Sequence, residues 1–181
     1  GCELPVIINS GSGNQGITTS VPVILYARDN DFSEDELYRA LIFSNLIALY
    51  IKNKIGKLSA YCGVVSASAA SIASIAFLNK EDKKIIEDTI TNALAVNSGI
   101  ICDGAKSSCA MKIASSLRNA SLAYMQAKTD NSFEVGDGII KENIDKTIDT
   151  VARIAKYGMK KTDEVVLSEM IGKDDYLKDF E

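Results

Sequence analysis

The chain has 181 residues, with 20 Lys plus Arg against 24 Asp plus Glu for a net charge of −4, and it contains neither histidine nor tryptophan. That length suits one domain with a real core, read here over residues 1–181. Lacking histidine, the chain alone builds no Ser-His-Asp or Cys-His machinery and no His-ligated zinc site; lacking a basic stripe, it offers little to nucleic acid.

The predicted elements begin with "VIINSGSGNQGITTS", residues 6–20. Gly11, Gly13 and Gly16 spell G-x-G-x-x-G after an apolar run, the order of a dinucleotide-binding turn. A P-loop is excluded, because Ile17 and Thr18 stand where Lys-Ser/Thr is required. A Rossmann unit needs a second strand ending in an acid about 20 residues on. Asp35 and Glu36 fall near that distance, but in the first turn of a capped helix. The stretch "NQGITTSVPVIL" reads instead as the start of a helix, whose N-terminus favours an anion. With no Lys or Arg in the turn, a carboxylate suits it better than a phosphate. Ser10, Ser12, Gly13, Asn14 and Gln15 are the candidate binding residues. The competing reading is a glycine-rich bend that only lets two helices approach.

A capping box, Ser33 with Glu36, opens a helix over 33–55 that Gly56 closes. Residues 58–78, "LSAYCGVVSASAASIASIAFL", carry no charge and are long enough to span a bilayer. Ser59, Ser66, Ser68, Ser71 and Ser74 among many alanines mark them as a helix buried in protein, with no membrane implied. A helix over 81–101 follows, with Ile85, Ile86, Ile90 and Leu94 as its apolar stripe, then another over 105–128. "TDNSFEVGDG" at 129–138 is the linker. The last helical stretch covers 141–171, with Gly158 as its break, and an acidic tail ends the chain. The pattern predicts an all-α multi-helix bundle with buried small-residue helices and a glycine-rich N-terminal turn. No signal-peptide pattern is visible, and four widely spread cysteines read as thiols of a cytoplasmic protein, not as a disulfide scaffold.

Of these, Cys2 has no evident role, while Cys62, Cys102 and Cys109 carry chemical interest. "GIICDGAKSSCAMK" puts two thiols on either side of a short turn. If the helices over 58–78 and 81–101 form an antiparallel hairpin, Cys62 lies beside Cys102 and the three converge. The spacing is not that of a zinc site. Three thiolates without histidine suit an iron–sulfur cluster that leaves one iron open; the competing reading is that buried cysteines fill space.

"NSGSGNQGITTSVPVIL", "GKLSAYCGVVSASAA", "GIICDGAKSSCAMKIASS" and "MKKTDEVVLSEMIGK" together resemble successive motifs of the L-cysteine desulfidase family. That family is similar to the alpha chain of iron–sulfur-dependent L-serine dehydratases. The resemblance implies an oxygen-sensitive 4Fe–4S cluster held by Cys62, Cys102 and Cys109. It also implies a small amino-acid substrate, and a chain that is the C-terminal, cluster-bearing half of a longer protein, its partner being the N-terminal half. A homodimer is compatible with it. The last two cysteines are spaced more closely than in the dehydratases, which leaves open a third ligand from the N-terminal half. The reaction implied is α,β-elimination on L-cysteine to sulfide, ammonia and pyruvate. The alternatives are dehydration of L-serine and a non-catalytic helical domain. Lys106 and Asp103, beside the cysteine turn, are this chain's candidate bases, with a residue of the N-terminal half as an equal alternative.

Overall fold

The structure, a computed structural model, describes residues 3–56 and 59–172. Cys2 and the acidic tail lie outside those residues. In chain order the elements are α1 (Gly13–Asp29), α2 (Glu34–Ile55), α3 (Gly63–Leu78), α4 (Lys83–Asn97), α5 (Cys109–Lys128), α6 (Ile144–Arg153), a π-helical turn (Ile154–Gly158) and α7 (Lys160–Ile171). The bundle is all-α, as the pattern predicts. Extended pairing among the described residues is confined to two isolated bridges, Asn9 with Ser12 and Tyr61 with Ile101.

Local chemistry explains where the first helices begin and end. Ser12 caps α1, its hydroxyl accepting from the Gln15 amide at 3.2 Å. The anticipated capping box opens α2: the Ser33 amide donates to Glu36 Oε2 at 3.0 Å, and the Glu36 amide donates back to Ser33 Oγ at 3.4 Å. Gly56, at φ +108°, ends α2 in a conformation that a side chain would strain.

Helix α3 is the axis of the bundle. Every one of its residues except Phe77 is buried, and α1, α2, α4 and α5 all pack against it. Phe77 stacks on Phe43 of α2, ring centroids 5.1 Å apart. Alanine and serine let four helices approach one axis. Three of the serine hydroxyls find acceptors within the protein, Ser68 on Val65 O at 3.0 Å, Ser71 on Ser68 O at 3.2 Å and Ser74 on Ala40 O of α2 at 2.6 Å, while Ser66 Oγ is buried without a partner. No described helix is long and apolar enough to cross a membrane. On the far side of α2, Lys54 meets Asp149 at 2.6 Å and Tyr50 donates to Asp145 at 2.5 Å, which ties α6 to the bundle.

Two boundaries differ from the periodicity reading, for one reason. The helix expected over 58–78 starts at Gly63, and the one expected over 81–101 ends at Asn97. Ala60–Cys62 and Ile100–Cys102 instead run extended and pair with each other. A tertiary hydrogen-bonding partner has overridden helical periodicity at both ends. The stretch over 141–171 begins at Ile144 and is interrupted at Ile154–Gly158, so Gly158 does mark the break.

Enclosure of α3 makes its alanines intolerant of bulk. Ala73 is fully buried, so Ala73→Leu is expected to lower unfolding free energy by about 1–3 kcal/mol through overpacking. A urea titration reads this as a lower midpoint at unchanged slope; an unchanged midpoint would show that α3 is not enclosed.

Candidate functional site at the start of α3

The pairing that shortens two helices also builds the site. The Cys62 amide donates to Ile100 O at 3.1 Å and the Cys102 amide to Ala60 O at 2.7 Å, flanking the Tyr61–Ile101 bridge. In an antiparallel register alternate residues share a face, so Cys62 and Cys102 are diagonal neighbours on one side while Tyr61 points to the other. Tyr61 is fully buried there, its hydroxyl 3.2 Å from Ser98 Oγ. The two thiols meet and hydrogen-bond.

That bond splits their acidities. Cys62, donating to Cys102 and desolvated by burial, keeps its proton well above the ordinary thiol range. Cys102 accepts the bond and is drawn down to about 6, against the opposing effect of burial, with the Gly104 amide and the Lys112 and Lys52 charges assisting. At neutral pH the pair is one thiol and one thiolate.

Cys109, the first residue of α5, is buried too, but its Sγ lies on Gly104 O at 3.3 Å. Two of the three candidate thiols are thus in contact and the third stands on the adjoining turn. Among the described residues no group of three or more Cys, Asp or Glu side chains is close enough to hold a metal ion. The turn between is pinned from two sides. Lys112 of α5 reaches back to donate to Ile101 O at 2.9 Å and to form an ion pair with Asp103. Burial alone would lower the Lys112 ammonium, but the Asp103 carboxylate outweighs it and holds it raised; Asp103 is held low in return, chiefly by that hydrogen bond. Gly104 sits at φ +85°, and the Met170 methyl from α7 lies 2.7 Å from where a β-carbon would stand. Lys106 is exposed on the same turn, its carbonyl accepting from the Cys109 amide at 3.0 Å.

The glycine turn abuts this locus. A β-carbon on Gly63 would come within 2.3 Å of the Gln15 side chain, so the N-terminus of α1 lies against the N-terminus of α3. Gln15 also donates from Nε2 to Ser12 Oγ at 3.1 Å, so these two candidate binding residues engage each other. Ser10, at φ +57°, donates to Asn9 Oδ1 at 2.5 Å, and Asn9 donates to Asn45 Oδ1 of α2 at 2.7 Å. Gly13 and Asn14 form the first turn of α1, where helical amides have no partner in the helix. A cleft of about 660 Å³ lies elsewhere, between α4 and residues 130–144, and no cysteine lines it.

Sequence reasoning missed two residues of the site. Lys52, in the last turn of α2, is buried beside the thiols, and Lys112 organises the turn. The spacing of Lys112 from Cys109, three residues and so about one helical turn on the same face, was the available signal for the second; Lys52 had none.

Alkylation by iodoacetamide tests the shared proton. Thiolate is the reactive form, so the Cys102 rate should rise with a midpoint near pH 6, the value its hydrogen bond with Cys62 sets. Cys62→Ala, which removes the donor, should move that midpoint upward toward the ordinary thiol range. An ordinary midpoint in the wild type would refute the pairing.

Residues 1–168 match the serine dehydratase alpha chain family. Similar curated proteins include a UPF0597 protein of Lachnoclostridium phytofermentans, 55% identical over 94% of this chain and 41% of the relative. Another is a UPF0597 protein of Finegoldia magna, 50% identical over 96% of this chain and 42% of the relative. A third, from Treponema denticola, is 53% identical over 94% of this chain and 40% of the relative. The chain therefore spans about two fifths of the length of the curated relatives it matches. No solved structure matches it. With α1 to α6, the cysteine turn and the glycine turn all inside the matched residues, the chain belongs to the serine dehydratase alpha chain family.

Proposed function

We propose that this chain is the cluster-holding part of an iron–sulfur lyase that carries out α,β-elimination on L-cysteine, giving sulfide, ammonia and pyruvate. The observation that carries the reading is the contact of the Cys62 and Cys102 thiols on one face of the paired segments. Soft sulfur donors are what iron–sulfur clusters take. The donor set fits such a group: one thiol is already drawn toward thiolate, and the Lys52 and Lys112 charges act on the sulfurs. Cys62, Cys102 and Cys109 would hold it, Cys109 by giving up its contact with Gly104 O. When bound, a 4Fe–4S cluster with one iron free of protein ligands supplies Lewis acidity toward the departing sulfur.

The remaining chemistry belongs to the chain and to the rest of the longer protein. The first-turn amides of α1, at Gly13 and Asn14, receive the substrate carboxylate, with Ser10 beside them and Ser12 and Gln15 fixing the turn. A base takes the α-proton. Asp103, held low and ion-paired by Lys112, is too weak a base and sets the turn instead. Lys106, exposed between Cys102 and Cys109, is this chain's candidate. As the proton leaves, its electron pair forms the Cα–Cβ double bond and the sulfur departs with the C–S pair. The resulting enamine adds water and releases ammonia and pyruvate. Polypeptide beyond this single helical domain completes the pocket, in keeping with the two-fifths span of the relatives. The family match favours a second reading in which hydroxide leaves L-serine by the same elimination.

Anaerobic reconstitution of the full-length protein with iron and sulfide tests both readings. Near-stoichiometric iron and inorganic sulfide with visible absorption are expected, lost in Cys62→Ala and in Cys102→Ala. Sulfide release from L-cysteine should exceed pyruvate formation from L-serine; the reverse order selects the dehydratase. Failure of the full-length protein to take up iron would remove both.

A further inference from the structure

Beyond its charge acting on the sulfurs, Lys52 has no contact with substrate in the elimination just described, and its surroundings ask for one. Its side chain is only 4% exposed. It makes no hydrogen bond or ion pair among the described residues; its nearest charge partners are Cys102, Cys62 and Asp163. Lys54, two positions on, shows what an ordinary lysine of this helix does: it reaches out and pairs with Asp149 at 2.6 Å. Burying an ammonium costs several kcal/mol unless a negative group compensates, and no carboxylate of the described chain closes on Lys52.

A second observation points to the same place. Cys62 is the N-cap of α3, and its sulfur, a weak acceptor, is all that its side chain offers the first-turn amides, so the positive end of a 16-residue buried helix faces the thiol pair without an oxygen cap. The approach of Gln15 to Gly63 brings the α1 turn against that helix end. The turn contributes amides and hydroxyls but no charge. Two helix N-termini therefore meet at the start of α3, where the buried ammonium acts on the sulfur pair, and the nearby carboxylate Asp103 is already taken by Lys112.

We propose that Lys52 and the N-terminus of α3 form an anion subsite that takes the carboxylate of a small amino-acid substrate at the cysteine pair. Lys52 supplies the charge that the α1 turn lacks and so restricts the site to substrates bearing a carboxylate. A single ammonium among neutral donors matches one negative charge, which favours a carboxylate over a phosphate. This rests on the lyase reading for the identity of the substrate, but the anion site can be tested without turnover.

Full-length protein and its Lys52→Met and Lys52→Arg variants would be titrated calorimetrically with L-alanine, which has no β-leaving group, and with ethylamine, which has no carboxylate. Wild type should bind L-alanine and not ethylamine. Lys52→Met should lose about 10- to 100-fold in L-alanine affinity, the size of one charge-assisted hydrogen bond, while Lys52→Arg retains part of it. The KM for L-cysteine should rise by the same factor in Lys52→Met with kcat little changed. Replacing a buried unpaired ammonium by an isosteric thioether should leave the thermal midpoint no lower than wild type; Lys52→Gln repeats the test should Lys52→Met misfold. Equal L-alanine affinity in wild type and Lys52→Met, or no binding of L-alanine by wild type, overturns the subsite. Lys52-dependent L-alanine binding without sulfide release overturns the lyase reading and leaves the subsite standing.

Discussion

A helix without a polar face persists in water only when other elements enclose it all round, and α3 is such a helix. Enclosure dictates the rest of the architecture. Four helices must reach the same axis, which demands alanine, serine and glycine along it. The start of α3 must then open inside the protein, where its unpaired amides cannot be hydrated. Whatever sits at that end works in a medium of reduced polarity, where charges and hydrogen bonds act more strongly than at a surface. The cysteine pair and Lys52 are both at that end.

The pairing of Ala60–Cys62 with Ile100–Cys102 is the second constraint, and it is short enough to be missed. Only two backbone hydrogen bonds define it, yet they set the register that puts both thiols on one face. A slip by one residue would turn one sulfur toward the side Tyr61 occupies. Lys112 reinforces the register through Ile101 O and Asp103, so the turn after Cys102 is held by side-chain charge as well as by backbone.

Much of this was legible in the sequence where the cause is local. The Ser33–Glu36 box, the charge-free alanine and serine run and the Asp/Asn/Gly linker announce themselves through short-range chemistry. The meeting of Cys62 with Cys102 followed from treating the two helices as a hairpin. What sequence could not give is what depends on a distant partner. Ile100–Cys102 reads as the end of an apolar helix until Ala60–Cys62 is brought beside it. Lys52 and Lys54 are chemically identical in the sequence, and only burial separates a buried cation from a surface ion pair. Ser12 and Gln15 look like free donors until the structure turns them toward each other.

The π-helical turn at Ile154–Gly158 carries a consequence for how this part of the chain tolerates change in length. A π turn is one residue inserted into an α-helix, closed here by the Met159 amide donating to Ile154 O at 2.9 Å. Deleting one residue there would restore ordinary helical winding and rotate everything downstream by about 100° with a shift of about 1.5 Å. Met170 would swing off Gly104, and Asp163 would leave the neighbourhood of Lys52. The insertion thus works as a phase adjuster, and an indel of a single codon at 154–158 is a change to the cysteine turn some fifty residues upstream in the chain.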